Sequence, residues 1–302
     1  MLPELKPRSR LHGRSIFLSA SVPTPERADE YERIEEAPIR IEEAVLSIAR
    51  AVFVEGGTLV FGAHPSISPL VAQVVDDYYV PAPGERIDKR GEMETRWKNP
   101  SVIIYQSEVW KRYWAEITEQ LSRRPLVELR WVEADPNEHI DLKVKDRSQA
   151  PYSMKDMRMT MIRDTSPIAM IAIGGMKGVL EEAEIFKKYF PDRPVFTLAT
   201  TGGAAAVLAH NTQHWEGVTV IDLEAESLVR AFWEQQKNQD FETSLEKGGK
   251  HGDLQRGKHG EFQREPTRKF YIPYAFVAQQ LIARLVDDSD NSPRNQFRSH
   301  IR

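Results

Sequence analysis

The 302-residue chain contains no cysteine. Disulfides and thiolate-ligated metal sites are therefore excluded. His210 and His214 lie four positions apart, a spacing that suits a metal on a helix, but no third ligand accompanies them. We therefore expect neither a metal nor a cofactor.

Long apolar runs are also missing. No stretch reaches the roughly 18 apolar residues of a membrane-spanning helix, and the first residues lack the apolar run of a secretory signal. A formal net charge of −4 does not indicate the basic surface of a general nucleic-acid binder. We expect a cytoplasmic protein that contacts neither membrane nor nucleic acid.

Short apolar runs alternate with amphipathic helical segments between residues 15 and 236. Strands separated by helices predict right-handed crossovers and a parallel sheet with helices on both faces, a Rossmann-like α/β domain. The run "IAMIAI" is apolar throughout, which predicts a strand at the centre of the sheet. The predicted strands are "SIFLSAS", "TLVFG", "SVIIYQ", "VELRWVEA", "IAMIAI", "PVFTLAT" and "GVTVIDL".

The residues after position 236 divide into three segments. Residues 237–269 are polar, glycine-rich and poor in aliphatic side chains, which predicts a mobile polar loop. Residues 288–302 are predicted to be a disordered tail. Residues 270–287 are predicted to form a helix that packs on the domain or on a partner subunit, through Tyr274, Val277, Leu281 and Leu285.

Small and polar residues follow several of the predicted strands. Ligands of open parallel sheets bind beyond the carboxyl ends of the strands, where glycine allows close backbone approach and helix amino termini favour anions. Each turn alone is also compatible with an ordinary loop. The candidate ligand-binding residues are Ser19, Ser21, Gly62, His64, Gly174, Gly175, Gly178, Thr201, Gly202 and Gly203.

Two charged residues are candidates for chemistry. Arg158 shares the inward side of a predicted helix with Met154 and Ile162. A charge there is costly unless it is paired, so its stem reaches the surface or it meets a carboxylate or phosphate. Glu182 lies in the first turns of another predicted helix, where the helix dipole alone favours acidic residues. A catalytic role for Glu182 and a purely structural one both remain open.

The segment from Met154 to Glu184 resembles the LOG-type phosphoribohydrolases. Those proteins carry an arginine on a helix, an apolar strand, a Gly-Gly-x-Gly-Thr turn and paired glutamates. Here Arg158 and the pair Glu181 and Glu182 match, whereas the turn "GGMKGV" has one extra residue and Val179 in place of threonine. The series "IFLSASVP", "LVFGAHP", "MKDMR", "IGGMKGVLEE" and "TTGGAA" resembles the stand-alone bacterial proteins of the SLOG superfamily.

This resemblance implies a site for a nucleotide or an NAD-derived nucleotide. LOG enzymes cleave the N-glycosidic bond of nucleoside monophosphates, whereas other SLOG domains, notably in anti-phage systems, sense nucleotide ligands without cleaving them. Because the turn departs from the hydrolase pattern, we expect a sensor in bacterial anti-phage signalling.

Two alternatives to the sensor remain. The first is an N-glycosidase in which Glu182 stabilises the transition state or activates water, and Arg158 holds the phosphate or orients Glu182. The second is a non-catalytic assembly subunit. LOG-type proteins place their sites near a subunit contact, so a homodimer or higher homo-oligomer is expected, with the face of Leu281 and Leu285 as a candidate interface.

Overall fold

The computed structural model describes the chain in segments. They are residues 10–23, 37–79, 101–113, 115–124, 126–141, 149–210, 220–222 and 274–290. The predicted loop at 237–269 and residues 291–302 of the predicted tail lie outside the described residues. Residues 288–290 were also predicted to belong to the tail, which is wrong, since the last helix continues to Asp290.

The strands of the described residues form one parallel sheet. Its order is β4-β3-β2-β1-β5-β6-β7. The strands are β1 (Ser15–Ser21), β2 (Thr58–Gly62), β3 (Val102–Ser107), β4 (Val127–Val132), β5 (Ala169–Gly174), β6 (Val195–Leu198) and β7 (Val220–Asp222). The helices are α1 (Ala37–Val54), α2 (Ser68–Tyr79), α3 (Glu116–Ser122), α4 (Pro151–Thr165), α5 (Lys177–Tyr189), α6 (Gly203–His210) and α7 (Tyr274–Asp290).

This order confirms the predicted Rossmann-like α/β fold. The chain runs outward from β1 through β2 and β3 to β4, then returns to place β5 on the other side of β1. The run "IAMIAI" is an interior strand, buried at every residue of β5, although β1 occupies the middle position. Because the strand order reverses between β1 and β5, their carboxyl ends flank the crevice where open α/β sheets bind ligands.

Helices α4, α5 and α6 cover one face of the sheet. Their buried side chains form a single apolar cluster with alternate residues of the strands, as the two-residue period of a strand requires. The cluster anchors α4 and α5 beside the carboxyl end of β1. Its largest members are Phe17, Tyr105, Met157, Met161, Met170 and Phe186.

Helices α1 and α7 pack together away from that cluster. The inward residues of α7 are buried, and α7 packs against α1. The face of Leu281 and Leu285 is therefore covered within the chain, and it does not offer the subunit interface that the sequence suggested. A homo-oligomer remains a prediction that rests on the resemblance alone. None of the described helices is long and apolar enough to cross a membrane.

The start of α4 is stabilised by a side chain from a preceding loop. Both oxygens of the Glu138 carboxylate accept hydrogen bonds, from the N–H groups of Tyr152 at 2.8 Å and Ser153 at 2.7 Å. The hydroxyl of Ser153 accepts from the N–H of Asp135 instead of capping its own helix. Helix α4 is therefore capped by a residue distant in sequence, which no local sequence pattern indicates.

Candidate functional site

Three elements bring Ser19, Arg158 and Glu182 together at the carboxyl end of β1. The hydroxyl of Ser19, on β1, donates to Glu182 Oε2, on α5. Arg158 Nε, on α4, donates to Glu182 Oε1 at 3.3 Å. Arg158 Nη1 also donates to Glu181 Oε2 at 2.6 Å. Both predicted charged residues thus belong to one site, and Arg158 faces inward because carboxylates compensate its charge.

The Arg158–Glu182 pair is largely removed from solvent. The side chains are 15% and 14% exposed, respectively. Burial raises the pKa of the Glu182 carboxyl, although the Arg158 charge and the Ser19 hydroxyl favour its ionised form. The nearby charge of Glu181 acts in the same direction as burial. The site therefore holds a carboxyl group that retains a proton more readily than a solvated glutamate does.

Gly178 makes room for the Arg158 side chain. A Cβ atom at this position would lie 2.9 Å from Arg158 Nη2, closer than carbon and nitrogen atoms pack. The sequence suggested that Gly178 allows a ligand to approach the backbone. In the structure its missing side chain lets the guanidinium lie against the first turn of α5.

Thr201 joins the turns that follow β5 and β6. Its hydroxyl oxygen accepts from the N–H of Gly174 at 2.7 Å, and its proton is donated to the carbonyl of Leu198 at 2.6 Å. A hydroxyl has one proton, so Thr201 does not donate to a phosphate in this conformation. Thr201 fixes the turn, which corrects the expectation of a ligand donor there. Gly202 follows it and donates its N–H to Ala199.

Gly175 ties three segments together. Its N–H donates to the carbonyl of Ser21 at 2.8 Å, and its carbonyl accepts from the N–H of Ala204 at 3.0 Å, just after Gly203 begins α6. Its φ of +82° is a left-handed conformation that glycine adopts without strain. A Cβ atom on Gly175 would overlap the Cγ2 methyl group of Val179. The two glycine-rich turns therefore form one rigid unit beside Ser21.

His64 and Ser66 connect the ends of β1 and β2. The Ser66 N–H donates to His64 Nδ1 at 3.2 Å, and the Ser66 hydroxyl lies 2.8 Å from the same nitrogen. The Ser66 hydroxyl also accepts from the N–H of Val22, directly after β1. Sequence reasoning missed Ser66, because an isolated serine in a loop is not distinctive. Gly62 lies close to Met157. A Cβ atom added to Gly62 would be 3.6 Å from Met157 Cε.

Of the two histidines with a metal-ligand spacing, the structure describes His210. His210 Nδ1 lies 2.7 Å from the carbonyl oxygen of Ala206, one turn earlier in α6. His214 lies outside the described residues. The spacing of the pair therefore has no structural test.

A comparison with protein-family models finds a match over most of the chain. The model of the SLOG cluster3 family matches residues 31–232. The X-ray structure of TM1055, a structural genomics target, is 13% identical, with a TM-score of 0.36 over 65% of this chain and 81% of that one. No curated protein matches the chain. Because the family model covers more than half of its residues, the chain belongs to the SLOG cluster3 family.

Proposed function

We propose that the chain binds a nucleotide or an NAD-derived nucleotide at the carboxyl ends of β1 and β5, and that it acts as a sensor. Membership of a SLOG family supports a nucleotide-related function in general. The observation that carries the proposal is the Glu182 carboxylate, held between Ser19 and Arg158 at the point where the strand order reverses. That crevice is where this class of sheet binds its ligands.

Glu182 supplies the group that recognises the ribose. Each oxygen of a carboxylate can accept more than one hydrogen bond, so both can still accept from ribose hydroxyls while Ser19 and Arg158 hold them. Arg158 contacts two carboxylates and orients Glu182. A phosphate would have to compete with those carboxylates for Arg158. The N–H groups of Gly174 and Gly175 already donate within the protein, so we assign the phosphate to Ser21 and the amino terminus of α5.

The turn after β5 favours binding without cleavage. Val179 stands where LOG-type hydrolases carry threonine, and it presents only methyl groups, which are buried against Gly175. The extra residue in this turn lies directly before the helix that carries Glu182. A role in bacterial anti-phage signalling is proposed through the resemblance to SLOG sensors.

Hydrolysis of the base–ribose bond is the second candidate, favoured by one observation. The raised pKa of Glu182 is typical of carboxyls that act as acids or bases. A carboxylate in this position could also stabilise the oxocarbenium-like transition state of N-glycoside cleavage. The two candidates share the site and differ in whether free base is released.

A thermal-shift panel tests the binding proposal. The panel contains nucleoside monophosphates, NAD, ADP-ribose and cyclic ADP-ribose. A ligand at one hundred times its dissociation constant adds about 2.7 kcal/mol of stability. Arg158→Ala should weaken binding at least tenfold, because Arg158 orients Glu182. Arg163 is an exposed arginine of the same helix, and Arg163→Ala should leave binding unchanged. If no panel ligand stabilises the wild type, the chain is not a nucleotide sensor and the assembly-subunit alternative gains support.

Product analysis separates the sensor from the hydrolase. Each stabilising ligand is incubated with the protein for a long period and then separated by chromatography. The sensor returns the ligand intact. Release of free base by the wild type, and its loss in Glu182→Gln, would establish the hydrolase instead.

A further inference from the structure

The hydroxyl of Ser19 makes its hydrogen bond within the protein. Ser19 is 1% exposed and lies on β1, which is paired on both sides by β2 and β5. Its single proton is donated to Glu182 Oε2. From the sequence, Ser19 is a candidate ligand-binding residue. In the structure, its partner is the carboxylate.

Arg158 by itself does not define the position of Glu182. The guanidinium lies 2.6 Å from a Glu181 oxygen and 3.3 Å from a Glu182 oxygen, so its charge is shared between two carboxylates. The glutamate side chain has several rotatable bonds, and fixing it costs conformational entropy. Ser19 provides a second anchor on the other oxygen, from an interior strand of the sheet.

Charged groups lie near Glu182 on two of the elements around it. Helix α4 contributes Arg158, and α5 contributes Glu181, which Lys177 Nζ approaches to 3.7 Å. Strand β5 carries no charged residue. Helix α6 carries only His210, at its last position. Strand β1 contributes the Ser19 hydroxyl, which therefore stands opposite Arg158 as the second group that stabilises the ionised carboxylate.

We propose that Ser19 is a positioning residue that holds the ionised Glu182 carboxylate toward the ligand, rather than a residue that contacts the ligand. This inference rests on the proposed function in taking Glu182 as the ribose acceptor. Without the hydroxyl, Glu182 loses the anchor of one oxygen and holds its proton to a higher pH. Ligand affinity at neutral pH then falls because the neutral acid is the weaker acceptor.

The decisive measurement is the titration of Glu182 in the ligand-free protein. Carboxyl ¹³C NMR of glutamate-labelled protein follows it, and Glu182→Gln identifies its resonance. Ser19→Ala should raise the pKa of Glu182 by about one unit, the shift expected from loss of a hydrogen bond to a charged group. Ser19→Thr, which keeps a hydroxyl, should restore the wild-type titration. If Ser19→Ala does not fold, Ser19→Cys, a weaker donor, should give a smaller upward shift.

The matched control is Ser15→Ala. Ser15 lies on the same strand, and its hydroxyl donates to the carbonyl of Thr165 at 2.7 Å, away from Glu182. This variant should lose comparable stability without changing the Glu182 titration. An unchanged titration in Ser19→Ala, or an equal shift in Ser15→Ala, would overturn the proposal.

Affinity is measured with the nucleotide of the thermal-shift panel that stabilises the wild type most. Ser19→Ala should bind it about tenfold more weakly at pH 7 and approach wild-type affinity as the pH rises. A shifted titration with unchanged affinity would also overturn the positioning role. If no panel nucleotide binds the wild type, the proposed function fails, and the NMR comparison still decides whether Ser19 controls Glu182.

Discussion

The N–H of Gly174 donates to the hydroxyl of Thr201, 27 positions further along the chain, at 2.7 Å. This bond joins the turn after β5 to the turn after β6. Thr201 is fully buried, and its hydroxyl donates a hydrogen bond to the carbonyl of Leu198. The glycine-rich edge of the sheet is therefore held from within the fold before any ligand arrives.

Replacing Thr201 with valine should destabilise the fold by about 1–3 kcal/mol. Valine keeps the shape of threonine but leaves the buried N–H of Gly174 without an acceptor, which costs the desolvation of that group. Thr197→Val is the matched control, since Thr197 is equally buried and its hydroxyl only donates to Ala205. Urea unfolding should show a smaller loss for Thr197→Val. Equal losses would mean that Thr201 does not have the bridging role described.

Gly178→Ala should lower nucleotide affinity without lowering the stability of the fold. Alanine favours a helix over glycine by about 1 kcal/mol, so the melting temperature should hold or rise. The new methyl group would displace the Arg158 guanidinium, its nearest neighbour at 2.9 Å, and lower nucleotide affinity about tenfold.

A double-mutant cycle tests the cause of that loss. In an Arg158→Ala background, Gly178→Ala should have no further effect on affinity, because the group that it displaces is gone. Additive losses in isothermal titration calorimetry would show that Gly178 contacts the ligand itself.

Gly62→Ala tests whether a ligand lies against the end of β2. The nearest atom to the new methyl group is Met157 Cε at 3.6 Å, an ordinary contact distance. The fold should therefore keep its stability to within about 0.5 kcal/mol. Affinity should fall if the nucleotide approaches this backbone, as the sequence predicts. Unchanged affinity in the same titration would remove Gly62 from the site.

The pH dependence of the unfolding free energy should reveal the raised pKa of the Glu182 carboxyl. Its pKa is raised in the folded protein above the ordinary value of 4.5, chiefly by burial. The folded state therefore holds the proton more tightly than the unfolded chain does, and its contribution to stability is fully present below pH 4.5. That contribution is lost as the pH rises through the folded-state pKa.

Glu182→Gln removes this titration and provides the comparison. The unfolding free energy of the wild type, relative to Glu182→Gln, should fall as the pH rises above about 4.5, by up to 1.36 kcal/mol per unit of pKa shift. Calorimetry between pH 4 and 8 measures it, and Glu184→Gln, at an exposed position of the same helix, is the control. A difference that grows with pH would contradict the raised pKa.

The sequence was sufficient for the features that depend on local pattern. The unbroken apolar run of β5 predicts burial on both faces, and the structure confirms it. The four-residue spacing of Met154, Arg158 and Ile162 predicts that Arg158 faces inward, as it does. Periodicity alone was therefore enough to place both the strand and the charged residue.

The partners of these residues depend on long-range contacts that no local pattern encodes. Ser19 meets Glu182 across 163 positions, so its hydroxyl was assigned to a ligand. Thr201 is a candidate ligand-binding residue from the sequence, which does not show its contact with Gly174, because that contact exists only once β5 and β6 are paired. The apolar face of α7 was ambiguous for the same reason, since periodicity shows that a face is buried but not which element covers it.

The most direct test measures the dissociation constant of the panel nucleotide that stabilises the wild type most. The proteins compared are the wild type, Glu182→Gln and Glu184→Gln. The ligand is recovered and analysed after each titration. We expect Glu182→Gln to bind the nucleotide at least tenfold more weakly than the wild type, and Glu184→Gln to bind it as the wild type does. The recovered nucleotide should be intact. Equal affinity in all three proteins would contradict the placement of the ligand at Glu182, and free base in the wild-type sample would contradict the sensor.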